Sequence, residues 1–210
     1  MKNDINSLSD EALAAQFKFG RDVEAFNVLH NRYRGRILNY LCRGLGNYQR
    51  AEELTQEVFI KVYRSLPRIR RIDNIRAWIY AVAHNCLRME YRKMKRQPIR
   101  VVSLNSLFVK NDGEEINIHD FIANHKRDPN RIFRQKNLEV KIQNALMRLS
   151  PELREVLILC VIQGESYLEA ARTLNIPRGT VSTRLIRARN KFNQALGIKP
   201  GQSINEFVNE

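Results

Sequence analysis

Six basic side chains and no acidic one lie between Arg172 and Lys191, with Thr180, Ser182 and Thr183 set among them. Guanidinium forks pair with phosphate oxygens and with the acceptor edge of guanine, and hydroxyls bond to either, so this mixture suits a nucleic-acid surface. A second concentration is denser, because residues 61–100 hold 12 basic side chains against 2 acids. A helix that only needs a solvated face does not require that excess, and the stretch reads as a track for phosphates. Over all 210 residues, 36 Lys and Arg against 22 Asp and Glu leave a formal charge of +14. A polyanionic partner follows, with nucleic acid the default.

Other chemistries find little support. Cys42, Cys86 and Cys160 lie far apart, and His30, His84, His119 and His125 are scattered, without the close pairs of a zinc site. The cysteines read as fillers of apolar faces. Neither clustered carboxylates nor an activated nucleophile stands out, so no enzyme, metal or cofactor is expected. No apolar run approaches the roughly 18 to 20 residues of a spanning helix, so no membrane insertion is expected. The polar start, Met1 to Asp10, lacks the layout of a secretory signal, and a cytoplasmic location follows.

The elements that must hold the two basic surfaces are helical. Apolar residues recur at helical spacing in Leu13 and Phe17, in Phe26, Leu29, Tyr33, Ile37 and Leu41, and in Leu54, Val58, Val62 and Leu66. Pro67 ends one helix, Arg68 to Asp73 forms a basic loop, and a new helix opens near Asn74 and runs to about Arg96. Ile75, Ile79, Val82 and Cys86 mark its buried face. From Gln97 to about Asn130 the periodicity fails, and Pro98, Asn111-Asp112-Gly113 and Asp128-Pro129 predict an extended tether. A short strand at Val101 to Leu104 is compatible with the pattern, although nothing evident would pair with it.

Helix resumes near Ile132. Ser150-Pro151 is a helix start, Gly164 a C-terminal cap, and Ser166 with Glu169 a capping box. Asn175-Ile176-Pro177 turns tightly into a second helix that Gly197 closes. Val181, Leu185, Ala188 and Phe192 face its core, which turns Thr180, Thr183, Arg184 and Arg187 outward. This is a helix-turn-helix pattern whose second helix suits the major groove. The sequence therefore predicts an all-α chain of two helical modules, 1–96 and 131–210, with few contacts between them across a flexible tether over 97–130.

The residues themselves resemble a family. Leu149-Ser150-Pro151-Glu152-Leu153-Arg154-Glu155-Val156-Leu157, Gly164-Glu165-Ser166-Tyr167 and the run from Ile176 to Arg189 resemble region four of extracytoplasmic-function sigma factors. Ala25-Phe26, the run Ala51 to Phe59 and the run Arg76 to Asn85 resemble region two. Two departures stand out. An aspartate is usual four residues after the asparagine matched by Asn85, where this chain has Met89 beside Glu90, and the basic loop lacks the common glycine, with Arg71 nearby.

The resemblance implies a dissociable promoter-recognition subunit of RNA polymerase serving stress responses. Leu54, Gln56, Glu57 and Phe59 would dock on the clamp helices of the polymerase's largest subunit, and region four on the flap. Arg68, Ile69, Arg70, Arg71, Asn74, Arg76, Trp78, Tyr80, Asn85, Arg88 and Arg92 would hold the opened −10 element. Asn85 would take an extruded base or its backbone, and Arg76, Arg88 and Arg92 phosphates. Arg178, Thr180, Ser182, Thr183, Arg184 and Arg187 would read the −35 element as duplex. The implied partners are core polymerase, promoter DNA and an anti-sigma factor. The alternative is a stand-alone helix-turn-helix regulator, which would need a dimer interface and a sensing pocket in place of the basic helix.

Overall fold

The computed structural model describes residues 5–69, 74–96 and 129–198, the side chains of 129–136 excepted. Residues 97–128 of the expected tether, with its strand-compatible run, and Arg70 and Arg71 lie outside the described residues. Among the described residues eight α-helices follow in order: α1 Asp10–Gly20, α2 Val23–Leu45, α3 Tyr48–Ser65, α4 Ile75–Arg96, α5 Pro129–Met147, α6 Pro151–Leu157, α7 Tyr167–Leu174 and α8 Arg178–Leu196. No strand occurs among the described residues.

Local chemistry sets the boundaries. Asp22 and Asn47 accept first-turn amides of α2 and α3, and Asn74 Oδ1 accepts from the Ala77 amide at 2.7 Å to start α4. The Ser166–Glu169 capping box opens α7. Ser150 occupies the N-cap position of α6, but its hydroxyl makes no capping bond, and Pro151 supplies the helical start. A π-helical turn, Ile158–Ile162, extends α6. Gly164, at φ 68°, then reverses the chain, a conformation that costs a residue with a Cβ more than it costs glycine.

The amphipathic faces meet as the spacing predicts. Leu13, Phe17, Leu29, Ile37, Leu41, Val58, Ile75 and Ile79 are buried on one side of the molecule, and Val156, Leu159, Val181, Leu185 and Ala188 on the other. What the spacing does not predict is that these belong to one continuous apolar cluster. The two helical modules are as expected, but the expectation of few contacts between them is corrected: α7 packs on α4, and α5 and α6 pack on α2.

Within the first module, a Cβ on Gly44 would stand 2.8 Å from a Leu87 methyl, which would have to shift to admit it. Arg154, buried on α6, donates to the carbonyls of Leu146, Met147 and Leu149 at the end of α5 and, at 2.6 Å, to that of Gly44 near the end of α2. Helix C-termini carry unpaired carbonyls and partial negative charge, so one guanidinium satisfies two helix ends at once.

Candidate nucleic-acid interface

Helix α8 presents its arginines as its periodicity requires. Val181, Leu185 and Ala188 point into the core, which leaves Arg178, Thr183 and Arg187 exposed and Thr180, Ser182 and Arg184 half-buried at the edges of the same face. The Thr183 hydroxyl donates to the Thr180 carbonyl at 3.1 Å. One residue of this face escaped the sequence reading. Ile186 is 60% exposed beside Arg187 and one turn beyond Thr183. Its signal was legible, since an isoleucine off the Val181–Leu185–Ala188 stripe has no core to fill.

The second surface is divided along α4. Asn85, Arg88 and Arg92 lie exposed on its central and last turns, and Arg68 stands exposed ahead of it, with Ile69 half-buried. The first turns are covered. Asn74 is engaged as a cap, and Trp78 packs partly buried against the core. Tyr80, expected to offer aromatic surface, is instead 0% exposed, because α7 and the turn before it lie on α4. Its hydroxyl donates to Gln163 Oε1 at 2.8 Å, and Gln163 Nε2 donates to Asn39 Oδ1 at 3.2 Å.

Arg76, assigned to phosphate, donates instead to the buried carboxylate of Glu165 at 2.7 Å. Burial pushes the Glu165 carboxyl above its ordinary value, with the Arg76 guanidinium pulling against that shift. A second buried carboxylate, Glu155, meets His84 Nδ1 and accepts from the Tyr40 hydroxyl. These contacts join the same two modules.

The remaining predicted residues sit on α3. Gln56 is exposed and Glu57 half-exposed, whereas Leu54 and Phe59 are buried in the core. Phe59 still floors a shallow groove with Gln56, His30, Arg34 and Glu52 at its walls, but Leu54 has no side-chain surface to offer a partner. Arg50 organises the acids here. It grips buried Glu90 of α4 through two bonds of 2.8 Å and reaches Glu53 at 2.7 Å and Glu57 at 3.3 Å. The guanidinium holds the Glu90 carboxyl below its ordinary value. Glu90, beside the departure at Met89, is thus a buried strut.

Among the described residues no group of His, Cys, Asp and Glu is placed to hold a metal ion, and no helix is long and apolar enough to cross a membrane.

Known family descriptions match both helical regions in the same order. The family description Sigma-70 region 2 matches residues 29–97, and Sigma-70, region 4 matches residues 139–192. The RNA polymerase sigma-H factor of Pseudomonas aeruginosa is 29% identical over 189 residues, covering 89% of this chain and 93% of the relative. The ECF RNA polymerase sigma-E factor of Haemophilus influenzae is 29% identical over 185 residues, 87% of this chain and 92% of the relative. Among solved structures, the sigma factor RpoE of Bartonella quintana, in complex with the anti-sigma factor NepR, superposes with a TM-score of 0.61 at 21% identity, over 83% of this chain and 98% of its own, a likeness of fold. With both regions matched in chain order over more than half the sequence, and relatives aligned over most of its length, the chain belongs to the sigma-70 family, in its extracytoplasmic-function group.

Proposed function

We propose that this sigma factor divides promoter recognition between its two basic surfaces, region two over 1–96 and region four over 131–210. The carrying observation is that two separate polar and basic faces, on α4 and α8, match regions two and four. On α8, Arg178, Thr180, Ser182, Thr183, Arg184 and Arg187 contact the −35 duplex, and Ile186 adds apolar contact with a thymine methyl. Asn85 captures an unstacked base of the −10 element, with Arg88 and Arg92 on phosphates, and Arg76, Trp78 and Tyr80 join once uncovered. Capturing an unstacked base offsets part of the few kilocalories that unstacking costs, so a small surface drives melting. Arg68 to Arg71 lead the strand in. Gln56, Glu57 and the groove above Phe59 form the docking face for the clamp helices of core polymerase, and region four meets the flap.

An anti-sigma factor is the proposed regulator, as the RpoE relative is seen with NepR. This work requires binding groups and no catalytic one. The test is to mix the pure chain with core polymerase, follow co-elution and score run-off transcripts from its promoters. Sequence-specific transcripts that need both components support the reading. A chain that binds DNA alone and starts no transcript would be a stand-alone regulator.

A further inference from the structure

We propose that Met89 is a specificity residue of the strand-holding face of α4, an apolar seat that favours thymine at the position of the opened strand next to the base taken by Asn85. The proposal rests on the division of labour above and adds to it one residue and the base that it selects.

Exposure singles the residue out. Among the described residues, Met94 packs partly buried against the core and Met147 is half-buried against Gly46, whereas Met89 is 53% exposed. It is also the one large apolar side chain that α4 leaves exposed among the described residues. A single exposed apolar residue is common on any protein surface, so its setting decides.

That setting is the strand face. Met89 stands one turn beyond Asn85, next to Arg88 and three residues before Arg92, all exposed on α4. Glu90 is the one acid between Asn74 and Arg96, and it is turned inward. Arg50 holds it through two bonds of 2.8 Å, and Lys93 closes on it at 3.5 Å. From α3, Lys61 brings its ammonium to Cys86 Sγ at 3.2 Å, three residues before Met89. The thioether is thus flanked by cations and by the Asn85 amide, and no outward carboxylate of α4 repels a phosphate backbone there.

Chemistry and spacing then select the ligand. A thioether donates no hydrogen bond and accepts only weakly, so it does not read the polar edge of a base. It can bury the C5 methyl that marks thymine, and its unbranched, polarisable chain adapts to an irregular apolar contact. Asn85 and Met89 are four residues apart, about 6 Å along a helix axis at about 1.5 Å per residue. Stacked bases of one strand follow each other at about 3.4 Å. The pair of side chains therefore suits neighbouring bases that have left the stack, one held by its polar edge and the next by its methyl.

The test compares oligothymidine with oligodeoxyuridine, which lacks only that methyl. Fluorescence anisotropy reads both on holoenzyme assembled from the full chain and core polymerase, with core polymerase alone as the baseline. Wild-type holoenzyme should bind oligothymidine about three- to four-fold more tightly than oligodeoxyuridine, as the burial of one methyl predicts. Met89→Ala should bring that ratio close to one. Met89→Gln, of similar length but polar, should do the same, while Met89→Leu keeps the ratio. Because the side chain is exposed, all three variants should retain the wild-type circular dichroism and urea midpoint.

A ratio in Met89→Ala equal to that of the wild type would overturn the proposal. Equal weakening on both oligonucleotides would overturn it too, since the contact would then be to backbone or to any base. Asn85→Ala, measured alongside, separates this failure from that of the larger reading. If it weakens strand binding while Met89→Ala keeps the wild-type ratio, only the selectivity assigned to Met89 falls. If neither variant changes binding, α4 is not the strand-holding face and both readings fall.

Discussion

Ile186 shows what a single side chain contributes to a basic face. An exposed isoleucine gains nothing from water, and on α8 it lies beside the arginines and hydroxyls proposed to enter the groove. The thymine methyl is the one apolar feature on a major-groove edge, and burying a carbon of that size contributes about 0.8 kcal/mol. Replacing contacted thymines of the −35 element by uracil should therefore weaken wild-type binding a few-fold. The same exchange should leave Ile186→Ala indifferent, as equilibrium titration would report. Equal losses in both proteins would remove Ile186 from the reading face. The residue was legible in the sequence as a break in the apolar stripe, whereas the burial of Tyr80 was not. Tyr80 belongs to an interface between segments far apart in sequence, and no local spacing encodes that.

At the scale of elements, the starts and stops were the readable part. The Ser166–Glu169 box, the turn at Asn175, where the backbone is left-handed, and the cap at Gly197 all fall where local chemistry puts them. The struts between helices were unreadable, because they join positions 40 or more residues apart. Arg50 and Glu90 are one such strut, and it makes a pH prediction. The folded-state value of Glu90 is lowered, chiefly by its bonds to Arg50, so its stabilising contribution is present above the ordinary glutamate value near 4.5 and is lost as pH falls through and below it. Glu90→Gln should cost about 2 kcal/mol at neutral pH, and its stability should fall less steeply on acidification than that of the wild type. Urea titrations at a series of pH values would check both, and parallel pH profiles would show the strut to be silent. Arg154 is the other strut. Lysine keeps the charge but has one donor centre instead of a planar fork, so Arg154→Lys should strand carbonyls of α2 and α5 and cost more than about 2 kcal/mol in urea unfolding. A midpoint within error of the wild type would mean that water replaces the guanidinium.

The whole molecule combines a strongly positive charge with a contact that hides part of it. The charge predicts binding that weakens steeply with salt, and the packing of α7 on α4 ties Arg76 to Glu165. Composition made the first property legible. The second required the fold, because Gln163 reads in sequence as the last residue of one helix and Glu165 as a loop residue ahead of the next. The central claim is that the chain, on core polymerase, opens promoter DNA through α4. Its most direct measurement is permanganate reactivity of promoter thymines on fully paired and pre-opened bubble templates, for the wild type and Asn85→Ala. The account predicts reactive thymines with wild-type holoenzyme on paired DNA and, for Asn85→Ala, normal closed-complex formation, slower opening and partial recovery on the bubble, where the unpairing cost is already met. Paired templates opened by the variant as fast as by the wild type would contradict the role of Asn85, and no reactive thymines with the wild-type holoenzyme would contradict the claim itself.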